Sequence, residues 1–141
     1  MSHPVCIFQP GDGFTRELPL TPALVREFAR LGGDTNPLHH DDEAAKTSRF
    51  GTLIASGGQC TAMMMGPLAD YLTQRGGAVG LEFSFKFKRA VPAQGNYQLQ
   101  WIIERLEYKQ SLKGFLLFLN GGLRCGETMH VLATCTALAM D

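Results

Sequence analysis

From Leu81 to Lys88 apolar and polar residues alternate: Leu81, Phe83, Phe85 and Phe87 against Glu82, Ser84, Lys86 and Lys88. A period of two predicts a strand with one buried face. The same period returns in Tyr97, Leu99, Trp101 and Ile103, and again in Met129, Val131, Ala133, Cys135 and Ala137. Phe115 to Leu119 is apolar without a break. That predicts a strand covered on both faces, the second cover being another subunit. Pro92 to Gly95 reads as a turn and Gly126 as a hairpin.

The first half follows a different period. Thr21-Pro22 is an N-cap followed by proline at the first helical position. Leu24, Val25, Phe28 and Leu31 follow at helical spacing, and Gly32-Gly33 ends the helix. Asp41 or Asp42 caps a second short helix through Glu43, Ala44 and Ala45. Gly57 to about Tyr71 is apolar nearly all round in its first two turns, which predicts a buried helix. Met63, Met64 and Met65 read as flexible core filler. Gly66-Pro67 predicts a kink or break, because proline lacks a backbone donor and clashes one turn back. Long antiparallel strands and one buried helix predict an α+β domain whose sheet wraps around that helix. No repeat or linker divides residues 1–141, so a single domain is expected.

Composition narrows the function. The chain has 141 residues, 13 basic and 13 acidic, and no net charge. A nucleic-acid or membrane-surface binder would rest on excess Lys/Arg, so neither partner is expected. Without a spanning apolar run or a leader pattern, the expectation is a soluble cytoplasmic protein. Cys6, Cys60, Cys125 and Cys135 are far apart and form no CxxC, which predicts reduced, unpaired thiols.

The chemistry concentrates in Gly33-Asp34-Thr35-Asn36-Pro37-Leu38-His39. An acid and an imidazole lie here on either side of an Asn-Pro turn signal, just past a helix C-terminus. Two groups that titrate differently, held close, suit addition or removal of water at an activated double bond. His40, Asp41 and Asp42 extend the polar run. Adjacent side chains rarely aim at one point, so no metal is expected, and no cofactor.

Together these residues resemble a known family. The run from Phe28 to Ala45, with Asp34-x-Asn36-Pro37-x-His39 at its centre, is similar to the signature of MaoC-like dehydratases, the (R)-specific enoyl-CoA hydratases. Phe50-Gly51, then Ile54-Ala55-Ser56-Gly57, falls where that family starts its central helix. Phe85 to Pro92 resembles the family's strand with its terminal turn. The similarity of organisation runs from about residue 10 to 138.

The resemblance implies a hot-dog fold and a homodimer or higher homo-oligomer with sheets joined edge to edge. It implies an acyl-CoA or acyl-carrier thioester held in a tunnel near the subunit contact. The implied reaction is reversible syn hydration of a trans-2-enoyl thioester to an (R)-3-hydroxyacyl thioester. Asp34 and His39 would hold the water and exchange its protons. Asn36 would orient the loop or bond the Asp34 carboxylate. Gly57, whose N–H opens a helix, would stabilise the thioester oxyanion. Ser56 and Gly58 would be substrate-binding positions: Ser56 stands where many members have histidine, and Gly58 stands where a large apolar residue is common and would widen the acyl pocket. Lys86, Lys88 and Arg89 would meet coenzyme A phosphates. Two other readings compete with the hydratase: a non-catalytic acyl-thioester-binding subunit, which Ser56 favours, and a hot-dog thioesterase.

Overall fold

The structure, a computed structural model, describes residues 4–140. β3 (Gly95–Lys109), β4 (Gly114–Cys125) and β5 (Thr128–Met140) follow one another in the chain and in the sheet. β1 (Gly13–Leu20) adds to the β3 side and β2 (Ala78–Phe87) to the β5 side. Every pairing is antiparallel, in the order β1-β3-β4-β5-β2. The core face is the one the alternation predicts: Tyr97, Leu99, Trp101 and Ile103 are buried, with Val131, Ala133, Cys135 and Ala137 beside them. Gly126, at φ 58°, turns β4 into β5. β1 was not legible in the pattern, because Arg16-Glu17 interrupts its alternation and most of this edge strand is exposed.

Two expectations about connections need correcting. β2 pairs with β5 and not with β3, so the 88–94 segment is a crossover rather than a turn between neighbours. It pairs instead with the approach to the long helix, through Ala55 N–H to Val91 O (2.8 Å) and Ala93 N–H to Leu53 O (2.8 Å). Leu81 also leaves the predicted face. A register shift between Gly80 and Glu82 makes it the extra residue of a bulge, and it is exposed.

Three helices precede the sheet's main body. α1 (Pro22–Leu31) is capped by Thr21 Oγ1, which accepts the Leu24 N–H, and Pro22 starts it as predicted. α2 (Asp42–Thr47) is capped by Asp41. α3 (Gly57–Thr73) lies against the core face and buries Cys60, Met64, Leu68 and Leu72, a stripe at i, i+4, i+8 and i+12. Trp101, fully buried on β3, ties the sheet to α3 by donating its indole N–H to Met64 O at 3.0 Å. Gly121 makes room for it: a Cβ there would lie 2.6 Å from the indole ring.

α3 does not break at Gly66-Pro67 but runs on for 17 residues in all. The clash of proline with its predecessor falls on that residue's Cβ, and glycine has none. Nor is α3 buried all round. One sheet covers one side, and Met65, Gly66 and Ala69 remain exposed. They form, with Leu68, Val79 and Phe83, an apolar groove of about 340 Å³ between α3 and edge strand β2. The apolar run in β4 is covered differently on its two faces. Leu117 and Leu119 are in the core, while the outward Phe118 lies under the Arg105 guanidinium, 3.6 Å from its ring centroid. Part of the second cover therefore comes from the chain itself.

Candidate active site

α1 delivers the acid. Its last residues give way to Gly32 and then Gly33, whose φ of 75° is open to glycine at no cost. Asp34 follows, with its N–H bonded to Ala29 O at 2.8 Å. Its Oδ1 accepts the Asn36 N–H at 3.0 Å, and Asn36 Oδ1 accepts the Leu38 N–H at 3.0 Å. Asn36 thus serves the site twice: its main chain holds the carboxylate, and its side chain caps the 3-10 turn Pro37–His39. The other oxygen, Oδ2, lies 3.4 Å from His39 Nε2.

The burial of the two partners differs. His39 is 6% exposed, while the Asp34 side chain is 41% exposed. His39 Nδ1 lies 2.7 Å from Ile54 O. A carbonyl can only accept, so Nδ1 carries a proton, and in the uncharged form of the ring that tautomer presents its lone pair at Nε2. Carboxylate and Nε2 are then two acceptors facing each other. They are reconciled by one shared proton or by a water donating to both. An arrangement of this kind accepts and returns protons without rearranging.

A cleft of about 390 Å³ opens beside His39. Its walls include Phe50, Gly57, Cys60, Phe87, Lys88 and Arg89. Asp34 lies outside these walls and meets the cleft through His39. Gly57 is the first residue of α3, so its N–H is one a helix leaves unpaired, at the positive end of the dipole. The Phe87 ring lies against it, 3.4 Å from where a Cβ would stand. Burial pushes the Cys60 thiol up to about 11, so it faces the cleft as an uncharged group.

The remaining predicted residues divide. Lys88 and Arg89 reach the cleft. Lys86 does not: it pairs with Leu132 on the outer face of the sheet, where it lines a separate hollow with Asn120 and Thr134. Ser56 is buried, and its Oγ accepts the Gln59 N–H at 3.1 Å, so it caps α3. Gly58 faces Phe28, 3.8 Å from a would-be Cβ, and is not part of the cleft wall. Sequence reasoning missed Phe50, Cys60 and Phe87 as cleft residues. For Cys60 the helical spacing from Met64 was the available signal. Among the described residues no cluster of three His, Cys, Asp or Glu side chains gathers to hold a metal, and no helix is long and apolar enough to cross a membrane.

Comparison with known proteins agrees with this architecture. The fold is similar to the (R)-hydratase from A. caviae involved in PHA biosynthesis: TM-score 0.82, 22% identity, 97% of this chain and 100% of that one. It is also similar to the MaoC-like dehydratase from Rhodospirillum rubrum: TM-score 0.80, 20% identity, 95% and 94% covered. At these identities the likeness concerns the fold, which is the hot-dog fold. A shorter stretch of 40 residues is 50% identical to 3-hydroxyacyl-thioester dehydratase X of Mycobacterium tuberculosis. That stretch is 28% of this chain and spans only 14% of the relative's length. The model of the MaoC like domain matches residues 9–113, from before β1 through β3 and including the whole Asp34–His39 loop, and the chain belongs to that family.

Proposed function

We propose that the protein hydrates trans-2-enoyl thioesters, and dehydrates (R)-3-hydroxyacyl thioesters in reverse. The observation that carries this reading is the Asp34 Oδ2 to His39 Nε2 contact at 3.4 Å, with His39 on a cleft that also holds the first N–H of α3. Water between the two acceptors has its own lone pairs free for attack at C3. As its oxygen bonds to C3, one of its protons passes to the pair. The double-bond electrons move to C2, and the thioester carbonyl oxygen takes up negative charge facing the Gly57 N–H. The pair then returns a proton to C2, so water is added with nothing left over. Lys88 and Arg89 at the cleft supply cations for the phosphates of coenzyme A or of a carrier's pantetheine arm.

The assembly belongs to the same reading. Edge strand β2 and the apolar groove beside α3 form a continuous uncovered surface that includes Val79 and Leu81. A second copy pairing at this edge would cover both and extend the acyl-binding space from the cleft along α3. The test is a spectrophotometric assay with crotonyl-CoA and dodecenoyl-CoA. Loss of enoyl absorbance without thiol release is the expected result. Thiol release would mark a thioesterase, and no change with either substrate would leave the binding-subunit reading in possession.

A further inference from the structure

His40 takes no part in the acid–base pair, yet its ring ends on it. Its Nε2 lies 2.6 Å from the main-chain carbonyl oxygen of Asp34. The carbonyl can only accept, so Nε2 carries a proton and donates it. Adjacent histidines thus converge on one residue, His39 on its carboxylate and His40 on its carbonyl. Asp34 follows the two glycines that end α1, the most permissive backbone in the segment. Its N–H is held by Ala29 O and its Oδ1 by the Asn36 N–H. The His40 bond fixes the remaining peptide plane, leaving Oδ2 as the unengaged atom, turned to His39.

His40 is itself anchored. Its N–H bonds Pro37 O at 3.1 Å, and its carbonyl accepts from Arg26 Nε at 3.3 Å. Arg26, on α1, also pairs with Asp42 at 2.7 Å. A chain of contacts therefore runs from the middle of α1 through His40 back to the residue that follows α1. We propose that His40 is a positioning residue: its ring sets the direction in which the Asp34 carboxylate meets His39. The inference rests on the hydratase reading for its effect on turnover, and on geometry alone for its effect on the loop.

The experiment compares the parent with His40→Leu, which removes the donor at similar bulk, and His40→Gln, which keeps an N–H donor. With crotonyl-CoA, His40→Leu lowers kcat by about tenfold, the scale of one lost hydrogen bond at a reacting pair. KM stays within about twofold, because the ring touches no substrate. His40→Gln regains most of the lost turnover. Parental kcat in His40→Leu, a loss confined to KM, or His40→Gln as slow as His40→Leu would each overturn the proposal. Amide exchange gives a readout independent of turnover. The Asn36 N–H, bonded to the Asp34 carboxylate, exchanges faster in His40→Leu than in the parent or His40→Gln, while β3 and β4 amides are unchanged. An unaltered Asn36 rate overturns the proposal even if the parent hydrates nothing. A parent without hydratase activity but with the expected exchange pattern overturns the proposed reaction and leaves His40 as the group that holds Asp34. Should His40→Leu fail to fold, His40→Asn, polar but too short to reach the carbonyl, is read by the same criteria.

Discussion

Asp34→Asn separates the chemistry of the site from its architecture. Asparagine keeps an acceptor at Oδ1 for the Asn36 N–H, now bonded at 3.0 Å, so the turn survives. The amide nitrogen replaces Oδ2 and faces His39 Nε2, an acceptor because Nδ1 donates to Ile54 O. The pair exchanges two facing acceptors for a donor and an acceptor. Stability should therefore stay within about 0.5 kcal/mol of the parent. Turnover should not, because an amide neither takes nor returns a proton. Loss of a positioned acid or base costs ~10²–10⁴ in rate, or about 3–5 kcal/mol of barrier. Asp34→Ala is the contrast: it removes the acceptor for Asn36 as well, and should cost about 1 kcal/mol of stability on top of the activity. Initial rates of enoyl absorbance loss at saturating crotonyl-CoA, with thermal unfolding of the same samples, measure both quantities. The reasoning fails if Asp34→Asn keeps more than about a tenth of the parental kcat, since no general acid–base role is that small. It also fails if Asp34→Asn loses as much stability as Asp34→Ala.

Gly121→Ala should destabilise by about 1–3 kcal/mol through overpacking against Trp101, lowering the unfolding temperature; an unchanged melting curve would show that the indole shifts freely. Alkaline conditions should weaken the fold. Burial holds the Cys60 thiol up at about 11 and the Cys135 thiol at about 12, and Tyr97, raised by burial and then by nearby Cys125 and Cys60, at about 12. The unfolded chain loses these protons first, so the stability they confer is complete below about pH 9 and declines from there through pH 11 and 12. Urea unfolding at pH 8 and pH 10 measures this, and equal midpoints would contradict it. At the sheet edge, sedimentation should find a dimer at micromolar concentration, and Leu81→Lys should shift it toward monomer; a monomeric parent would remove the edge-pairing proposal.

How far the sequence carried depends on the kind of information each feature needs. The interior strands were legible because burial on one face writes a period of two, as from Tyr97 to Ile103. The Asp34–His39 loop was legible because Asn36-Pro37 is a turn signal of local origin. Edge strand β1 was not, since an exposed strand is under no pressure to alternate. The face occupied by Lys86 depends on pairing with Leu132, a partner far along the chain, and local pattern carries no such register. Ser56 was read as a substrate contact because of the family position it fills. Its cap bond to Gln59 was available from the sequence as a small polar residue before a helix, and was passed over. The sequence reading weighs His40 only as a metal ligand, and its contact with Asp34 is not legible there because it depends on the 3-10 turn, which directs the two rings to different atoms of one residue.

The loop that carries the acid and the imidazole is held largely by bonds among residues 26 to 42, with His39 to Ile54 O and Leu38 O to the Ile54 N–H as its ties to the segment before α3. The apolar groove is built from other parts, the second half of α3 and strand β2. On the proposed reading, the proton-transfer loop and the groove that would extend the acyl site therefore lie on separate stretches of chain. Substitutions that lengthen, narrow or polarise the groove can accumulate without disturbing the proton-transfer geometry, because the two sets of residues share few contacts. If Asp34 is the acid of the proposed reaction, a descendant lineage could change what it accepts while keeping that reaction, or lose it and persist as a binding protein with its groove intact.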